Sequence, residues 1–313
     1  MRKYKVVVVG AGNIGALFDT PDSKEILTHA NAFLRNEHFQ LMGFFDVDRK
    51  KTLEAARRWQ VKAYTSLDEA MEEADVVSCT VPDAYHFEVL KKIAEYPIKL
   101  VFAEKPITKN QREAQEICGL YDKRNIPLQV NYTRRFVTEF MELKKKISEY
   151  GKFLRGTGYY GKGILHNGSH MIDFIRYLLG DITDTKSNYA FIDFEKDDPC
   201  VEAELKMAGG VFFMHPLDCS VATLFEIDLF FDKGRIRMTD GCMKVEEYKV
   251  LPSETYAGYY NYISVQTYSV QYDSSFKNAV NNIYNVLENK EELICTKEDA
   301  KKVLEICKKL QKC

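Results

Sequence analysis

The chain has 313 residues, 45% hydrophobic and 29% charged, with 44 basic against 46 acidic side chains. That length suits two domains rather than one core, and the composition excludes a disordered or membrane-embedded chain. The balanced charge gives no global drive toward nucleic acid or an anionic membrane. The eight cysteines, at 79, 118, 200, 219, 242, 295, 307 and 313, form no Cys-x-x-Cys pair, which argues against a zinc cage and for reduced structural thiols. After a basic start the apolar run is only Val6 to Val9, too short for a signal core or a membrane span, so a cytoplasmic location is expected.

In chain order, Lys5 to Val9 reads as a buried parallel strand emptying into a glycine turn. An irregular insertion (Asp19, Thr20, Pro21, Asp22, Ser23), a helix to about Asn36 and a strand from Gln40 to Phe45 complete one βαβ unit. The rhythm repeats through strands at 63–64, 76–81, 100–103 and 128–131, with helices at 49–60, 67–73, 85–95 and 111–124 between them. Alternation of this kind predicts a parallel α/β Rossmann sheet ending near Asn131.

Beyond it the pattern changes to a helix at 138–148 and extended runs at 153–160, 187–194, 201–207, 210–216, 224–231 and 234–239. Short Gly and Asp turns between runs predict hairpins, hence an α+β domain with a large, mainly antiparallel open sheet. Helices are expected at 170–179, 275–288 and 297–312. The expected domains are therefore 1–131, binding dinucleotide, and 132–313, binding substrate and forming oligomers.

Gly10, Ala11, Gly12, Asn13, Ile14 and Gly15 spell G-x-G-x-x-G between a strand and a predicted helix, where backbone amides can approach a pyrophosphate. Asp46 ends the second strand, placed to accept hydrogen bonds from ribose hydroxyls and to repel a 2′-phosphate, so NAD is expected. The nearby Arg49, Lys50 and Lys51 keep NADP open. His29, inside the insertion, could reach the site, although a single loop or helix histidine more often reads as solvated or capping.

Thr80, Val81 and Pro82 follow another buried strand, with His86 four residues on, at the edge where open α/β sheets bind ligands; Thr80, Pro82 and His86 are candidate cofactor contacts. Glu104, Lys105 and Pro106 follow the strand at 100–103, and an acid and an ammonium there are poorly explained by core packing, although a surface Lys-Pro turn is the competing account. A lysine beside a nicotinamide can exchange a proton with a reacting hydroxyl. His170 enters a helix whose apolar face is Met171, Ile172, Phe174, Ile175, Leu178 and Leu179, and Asp173 is placed to support it. His166 and His170, four apart, raise metal binding, but no H-E-x-x-H pattern or further ligand cluster follows, and no metal is expected.

Taken together, the glycine motif, Thr80-x-Pro82 with His86, Glu104-Lys105-Pro106, the run from Val130 to Phe136 and Gly168-x-His170-x-x-Asp173 resemble the glucose-fructose oxidoreductase, inositol dehydrogenase and rhizopine catabolism (Gfo/Idh/MocA) family. The resemblance implies an NAD(P)-dependent oxidoreductase acting on a ring hydroxyl or ketone of a sugar, inositol or nucleotide-activated sugar, with homodimers or homotetramers formed through the open sheet. It implies that Lys105 contacts substrate and nicotinamide and that His170 is the acid/base, with Glu104 beside the cofactor and Asn131, His166 and Asn167 beside the substrate. His166 stands where the family commonly has Asp. The His166–His170 form, the insertion and the stretch around Arg134 look like a subgroup of surface-polysaccharide or modified-sugar biosynthesis. Arg134 and Arg135 could pair with a carboxylate or diphosphate on the substrate, or Arg135 could brace the two domains while Arg134 faces solvent. The same fold also resembles redox-assisted glycosidases that retain NAD and regulators that only bind it.

Overall fold

The computed structural model describes residues 3–312; Cys313, one of the thiols expected to be reduced, lies outside the described residues together with Met1 and Arg2. The chain forms two compact units, Met1–Phe136 with Asp273–Leu304, and Val137–Tyr272 with Glu305–Cys313.

The first unit is a six-stranded parallel sheet of β1 (Tyr4–Val9), β2 (Phe39–Phe45), β3 (Lys62–Ala63), β4 (Val76–Cys79), β5 (Leu100–Ala103) and β6 (Leu128–Val130), in the order β3-β2-β1-β4-β5-β6. Val6 to Val9 and the whole of β4, β5 and β6 are buried, as strands covered on both faces must be. The connecting helices are α1 (His29–Arg35), α2 (Arg49–Trp59), α3 (Leu67–Glu73), α4 (His86–Ile93) and α5 (Gln111–Arg124). Thr28, Asp48, Ser66 and Asn110 cap α1, α2, α3 and α5 by accepting first-turn amides.

No full helix follows the glycine loop. A single wide turn, Asn13–Leu17, is wound there, and the insertion then folds around the buried carboxylate of Asp19. That carboxylate accepts Leu27 N at 2.7 Å, Thr28 Oγ1 at 2.6 Å and Asn31 Nδ2 at 2.8 Å, which delays α1 until His29.

The expected boundary at Asn131 falls near the first crossing between units, but the chain returns. The remaining helices are α6 (Thr138–Lys146), α7 (Ser169–Leu179), α8 (Ser274–Leu287) and α9 (Lys297–Leu310), and α8 with the first half of α9 belongs to the first unit rather than to a domain of 132–313. Buried polar groups on and after β6 require this. Gln129 Nε2 donates to Ala279 O at 3.2 Å, Val130 N to Cys295 O at 3.1 Å, and Arg135 Nη1 to Ile294 O at 3.0 Å.

The second unit carries eight strands: β7 (Phe153–Tyr160), β8 (Ile182–Glu195), β9 (Asp198–Met207), β10 (Gly210–Pro216), β11 (Phe225–Phe231), β12 (Gly234–Thr239), β13 (Lys244–Pro252) and β14 (Tyr260–Ser269). Their order is β14-β13-β12-β11-β7-β10-β9-β8, antiparallel throughout except for the parallel pair β7 and β10. Burial alternates along β11, with Phe225, Ile227, Leu229 and Phe231 inside. One face is therefore covered, with Met171 of α7 against Gly158 of β7, and the other is open. The strands β13 and β14 were not expected from the sequence. Among the described residues no helix is long and apolar enough to cross a membrane, and seven cysteines are free thiols.

Candidate functional site

The glycine loop leaves β1 at the point where strand order reverses between β1 and β4, the crevice where open parallel sheets bind ligands. Gly10 has φ +101°, and a Cβ there would lie 2.5 Å from the Thr80 backbone. A Cβ on Gly15 would lie 2.3 Å from Gly10 O and 2.5 Å from Thr80 Oγ1. Gly12 differs: a Cβ would meet nothing within 4 Å, so the loop backbone is bare toward open space there. Asn13 is exposed and Ile14 half-buried beside it. A bare loop of this kind fits a pyrophosphate, the group that needs close backbone approach.

At the end of β2, Asp46 Oδ2 accepts Ala11 N at 2.9 Å and Oδ1 accepts Asp48 N at 2.9 Å. Each carboxylate oxygen keeps acceptor capacity for a ribose hydroxyl. Arg49 is turned to other work, donating from Nη1 to Tyr64 O at 2.7 Å and Ala63 O at 3.3 Å.

The loop is linked to the turn that carries Lys105. Thr80 Oγ1 donates to Gly10 O at 2.7 Å, and His86 lies with Nε2 2.9 Å from Val81 O and Nδ1 2.6 Å from Pro106 O. The His86 ring is fully buried with both nitrogens against protein carbonyls, so the expected cofactor contact becomes a brace between the turns after β4 and β5. Pro82, beside it, is exposed. Lys105 is half-buried, and the Lys105–Pro106 peptide is cis.

His29 corrects the sequence reading most clearly. Far from being solvated, it is fully buried, with Nε2 2.9 Å from Glu104 Oε1 and Nδ1 2.7 Å from Ser78 Oγ. Asn131 is 3% exposed and donates from Nδ2 to the same Glu104 oxygen at 2.7 Å, so its amide serves this network rather than an open substrate pocket. Burial pushes the Glu104 carboxyl up, but the His29 hydrogen bond and charge, the Asn131 hydrogen bond and the Lys105 charge outweigh it and hold the group below its ordinary value. Ser78 was the site residue missed, and His29 was weighed chiefly as solvated or capping. The available signal was the capping Thr28 ahead of a helix whose Ala30, Ala32 and Phe33 are apolar.

Arg135 is 4% exposed and pairs with Asp299 Oδ2 at 3.0 Å as well as Ile294 O, so the guanidinium braces the first unit instead of facing a substrate. Arg134 is half-buried in the same short turn, Thr133–Phe136.

In the second unit His170 is half-buried in the first turn of α7, and Asp173 is buried on the same helix. His166 is exposed and belongs to a preceding wide turn, Gly163–Gly168. Asp198, heading β9, anchors that turn by accepting Leu165 N at 2.7 Å and His166 N at 2.8 Å. Asn167 Nδ2 donates to Gly161 O at 3.0 Å, and the His166 ring lies 5.1 Å from that of Phe194. Asp193, Asp218 and Cys219 cluster near the start of this turn, where the Asp193 carboxylate accepts backbone amides of Lys162, Gly163 and Cys219.

A 3-2-1-4-5-6 parallel sheet with a bare glycine loop at its switch point defines the class: an NAD(P)-binding Rossmann unit. Residues 4–132 match the family described as an oxidoreductase family with an NAD-binding Rossmann fold, GFO_IDH_MocA. The protein YceM of Salmonella typhimurium, named as an oxidoreductase, is 25% identical over 147 residues, 47% of this chain and 44% of that one. The UDP-N-acetylglucosamine 3-dehydrogenase of Acidithiobacillus ferrooxidans is 27% identical over 135 residues, 43% of this chain and 39% of that one. The matched stretches thus span less than half the length of these relatives. The solved structure of that dehydrogenase, GnnA, superposes with a TM-score of 0.80 at 17% identity over 99% of this chain and 97% of its own, which shows a shared fold.

Proposed function

We propose that the protein is an NAD-dependent dehydrogenase that moves a hydride between nicotinamide and a CH–OH carbon of a sugar, inositol or nucleotide-activated sugar. The observation that carries this reading is the set of hydrogen bonds from Gly10 through Thr80, and from Val81 through His86 to Pro106, which ties the bare glycine loop to the turn bearing Lys105. Gly10, Gly12 and Gly15 with Asn13 and Ile14 hold the dinucleotide, and Asp46 takes the adenosine ribose. The engagement of Arg49 by two carbonyls leaves the negative charge of Asp46 to disfavour a 2′-phosphate.

Bound NAD supplies the carbon that accepts or returns the hydride. His170 takes the proton from the reacting hydroxyl, and the Lys105 ammonium stabilises the oxygen as negative charge develops on it. His166, Asn167 and Arg134 orient the sugar. The likeness to a UDP-N-acetylglucosamine dehydrogenase makes nucleotide-activated amino sugars the first class to try, and the motif likeness extends this to modified sugars of surface polysaccharides. The open sheet face, with Tyr159, Phe213 and Phe230 partly exposed, supports self-association.

The test is a scan of sugars, inositols and UDP-sugars for change at the reduced-nicotinamide absorbance band, with NAD and NADP in parallel. Turnover with NAD and one sugar class is expected. Binding of NAD with no turnover in either direction would favour a retained-cofactor glycosidase or a regulator instead.

A further inference from the structure

Ser78, His29, Glu104 and Asn131 make one chain of hydrogen bonds through the first unit, with contacts of 2.7, 2.9 and 2.7 Å in that order. The imidazole is enclosed by Phe102, at 4.5 Å between ring centroids, and Phe276 of α8, at 5.0 Å. Glu104 is only 16% exposed and its other oxygen faces the Lys105 amide at 3.3 Å. A carboxylate so placed needs a compensating charge or several donors. The neighbouring Cys79 thiol, pushed up to about 12 chiefly by burial, adds no charge. Ser78 is fully buried in the middle of the sheet, so the Ser-His-Glu array cannot present a nucleophile to a substrate.

We infer that His29 is a positioning residue for the nicotinamide half-site: its buried imidazole is the hydrogen-bond partner that holds Glu104, and with it the turn that carries Lys105. The insertion acquires a purpose on this view. Asp19 gathers Leu27, Thr28 and Asn31 so that α1 starts with its first residue, His29, directed at Glu104. The inference rests on the reading of Lys105 as the residue that meets nicotinamide.

Charge compensation has a signature that a purely structural role lacks. NAD+ carries a positive ring and NADH does not, so the ratio of their dissociation constants reports the charge around the turn. Loss of the His29 hydrogen bond leaves the Glu104 charge less compensated and favours NAD+; loss of the carboxylate does the reverse.

The experiment titrates NAD+ and NADH into the full chain near neutral pH, using wild type, His29→Gln, Glu104→Gln, the double variant and Lys105→Ala, each checked by thermal melting. The expected result is a ratio Kd(NAD+)/Kd(NADH) lowered about threefold or more by His29→Gln, raised by Glu104→Gln, and close to wild type in the double variant. An unmoved ratio in folded His29→Gln overturns the inference. If that variant does not fold, an unmoved or lowered ratio in Glu104→Gln does so. A Lys105→Ala protein with unchanged constants, alongside opposite shifts in the other two, sinks the Lys105 reading but not the role of His29. A shift in Lys105→Ala alone sinks the role of His29 and keeps Lys105.

Discussion

The carboxylate of Asp46 accepts the backbone N–H of Ala11 at 2.9 Å, joining the end of β2 to the glycine loop. Asp46→Ala removes both this tie and the proposed ribose acceptor. The expected outcome is NAD binding weakened by about tenfold or more, with a smaller loss for NADP, measured by calorimetric titration. Equal losses for both cofactors would contradict the assignment of Asp46 to the ribose.

The three glycines of the loop differ in what surrounds them, and their alanine variants separate folding from binding. At Gly15 an added methyl meets Gly10 O and Thr80 Oγ1 inside 2.6 Å, so Gly15→Ala is expected to lose about 1–3 kcal/mol of stability along with NAD affinity. Gly12→Ala meets no protein atom and is expected to melt like wild type while binding NAD weakly, because the methyl occupies the space of the pyrophosphate. Tight NAD binding by Gly12→Ala would remove the loop from the cofactor site.

Arg135 supplies a stability prediction. Arg135→Met leaves the partly buried Asp299 carboxylate and the Ile294 carbonyl without their guanidinium, a change expected to cost roughly 2–4 kcal/mol in denaturant unfolding. Arg135→Lys should recover part of the loss. A substrate-binding Arg135 would instead leave stability intact and change only KM.

Acid sensitivity should be partly localised at Glu247, 4% exposed, whose carboxylate accepts Lys146 Nζ at 2.6 Å and the Tyr150 hydroxyl. Burial pushes this carboxyl up, but the hydrogen bonds from Lys146 and Tyr150 and the Lys146 charge outweigh it and its pKa is lowered. A lowered folded value contributes stability above the unfolded value of about 4.3, and that contribution is lost as pH falls through the folded value. Glu247→Gln is therefore expected to be less stable than wild type near neutral pH, by roughly 1–3 kcal/mol, with the gap closing below about pH 4. A pH-independent gap would assign the effect to packing.

The Rossmann half was legible because β1, β4 and β5 are short apolar runs ending in glycine, threonine and an acid, a pattern set by burial on both faces. β13 and β14 were not legible. β14 is exposed along nearly its whole length, so no alternation marks it. The return of α8 to the first unit escaped as well, since what fixes it is the pairing of Gln129 and Arg135 with carbonyls more than a hundred residues away. Lys105 and His170 were singled out by their place after a strand and in the first turn of a helix. His29 was misjudged because its partners, Ser78 and Glu104, are distant in sequence and its insertion carries no strong periodicity.

The most direct test of hydride transfer with Lys105 and His170 as its working groups is reduced-nicotinamide absorbance, followed with the sugar panel in wild type, Lys105→Ala and His170→Ala. The account predicts a change in wild type with one sugar class and a loss of about a hundredfold or more in each variant, with NAD still bound. Undiminished turnover in either variant would remove that residue from the chemistry, and a wild type that binds NAD without any sugar-dependent change would contradict the dehydrogenase itself.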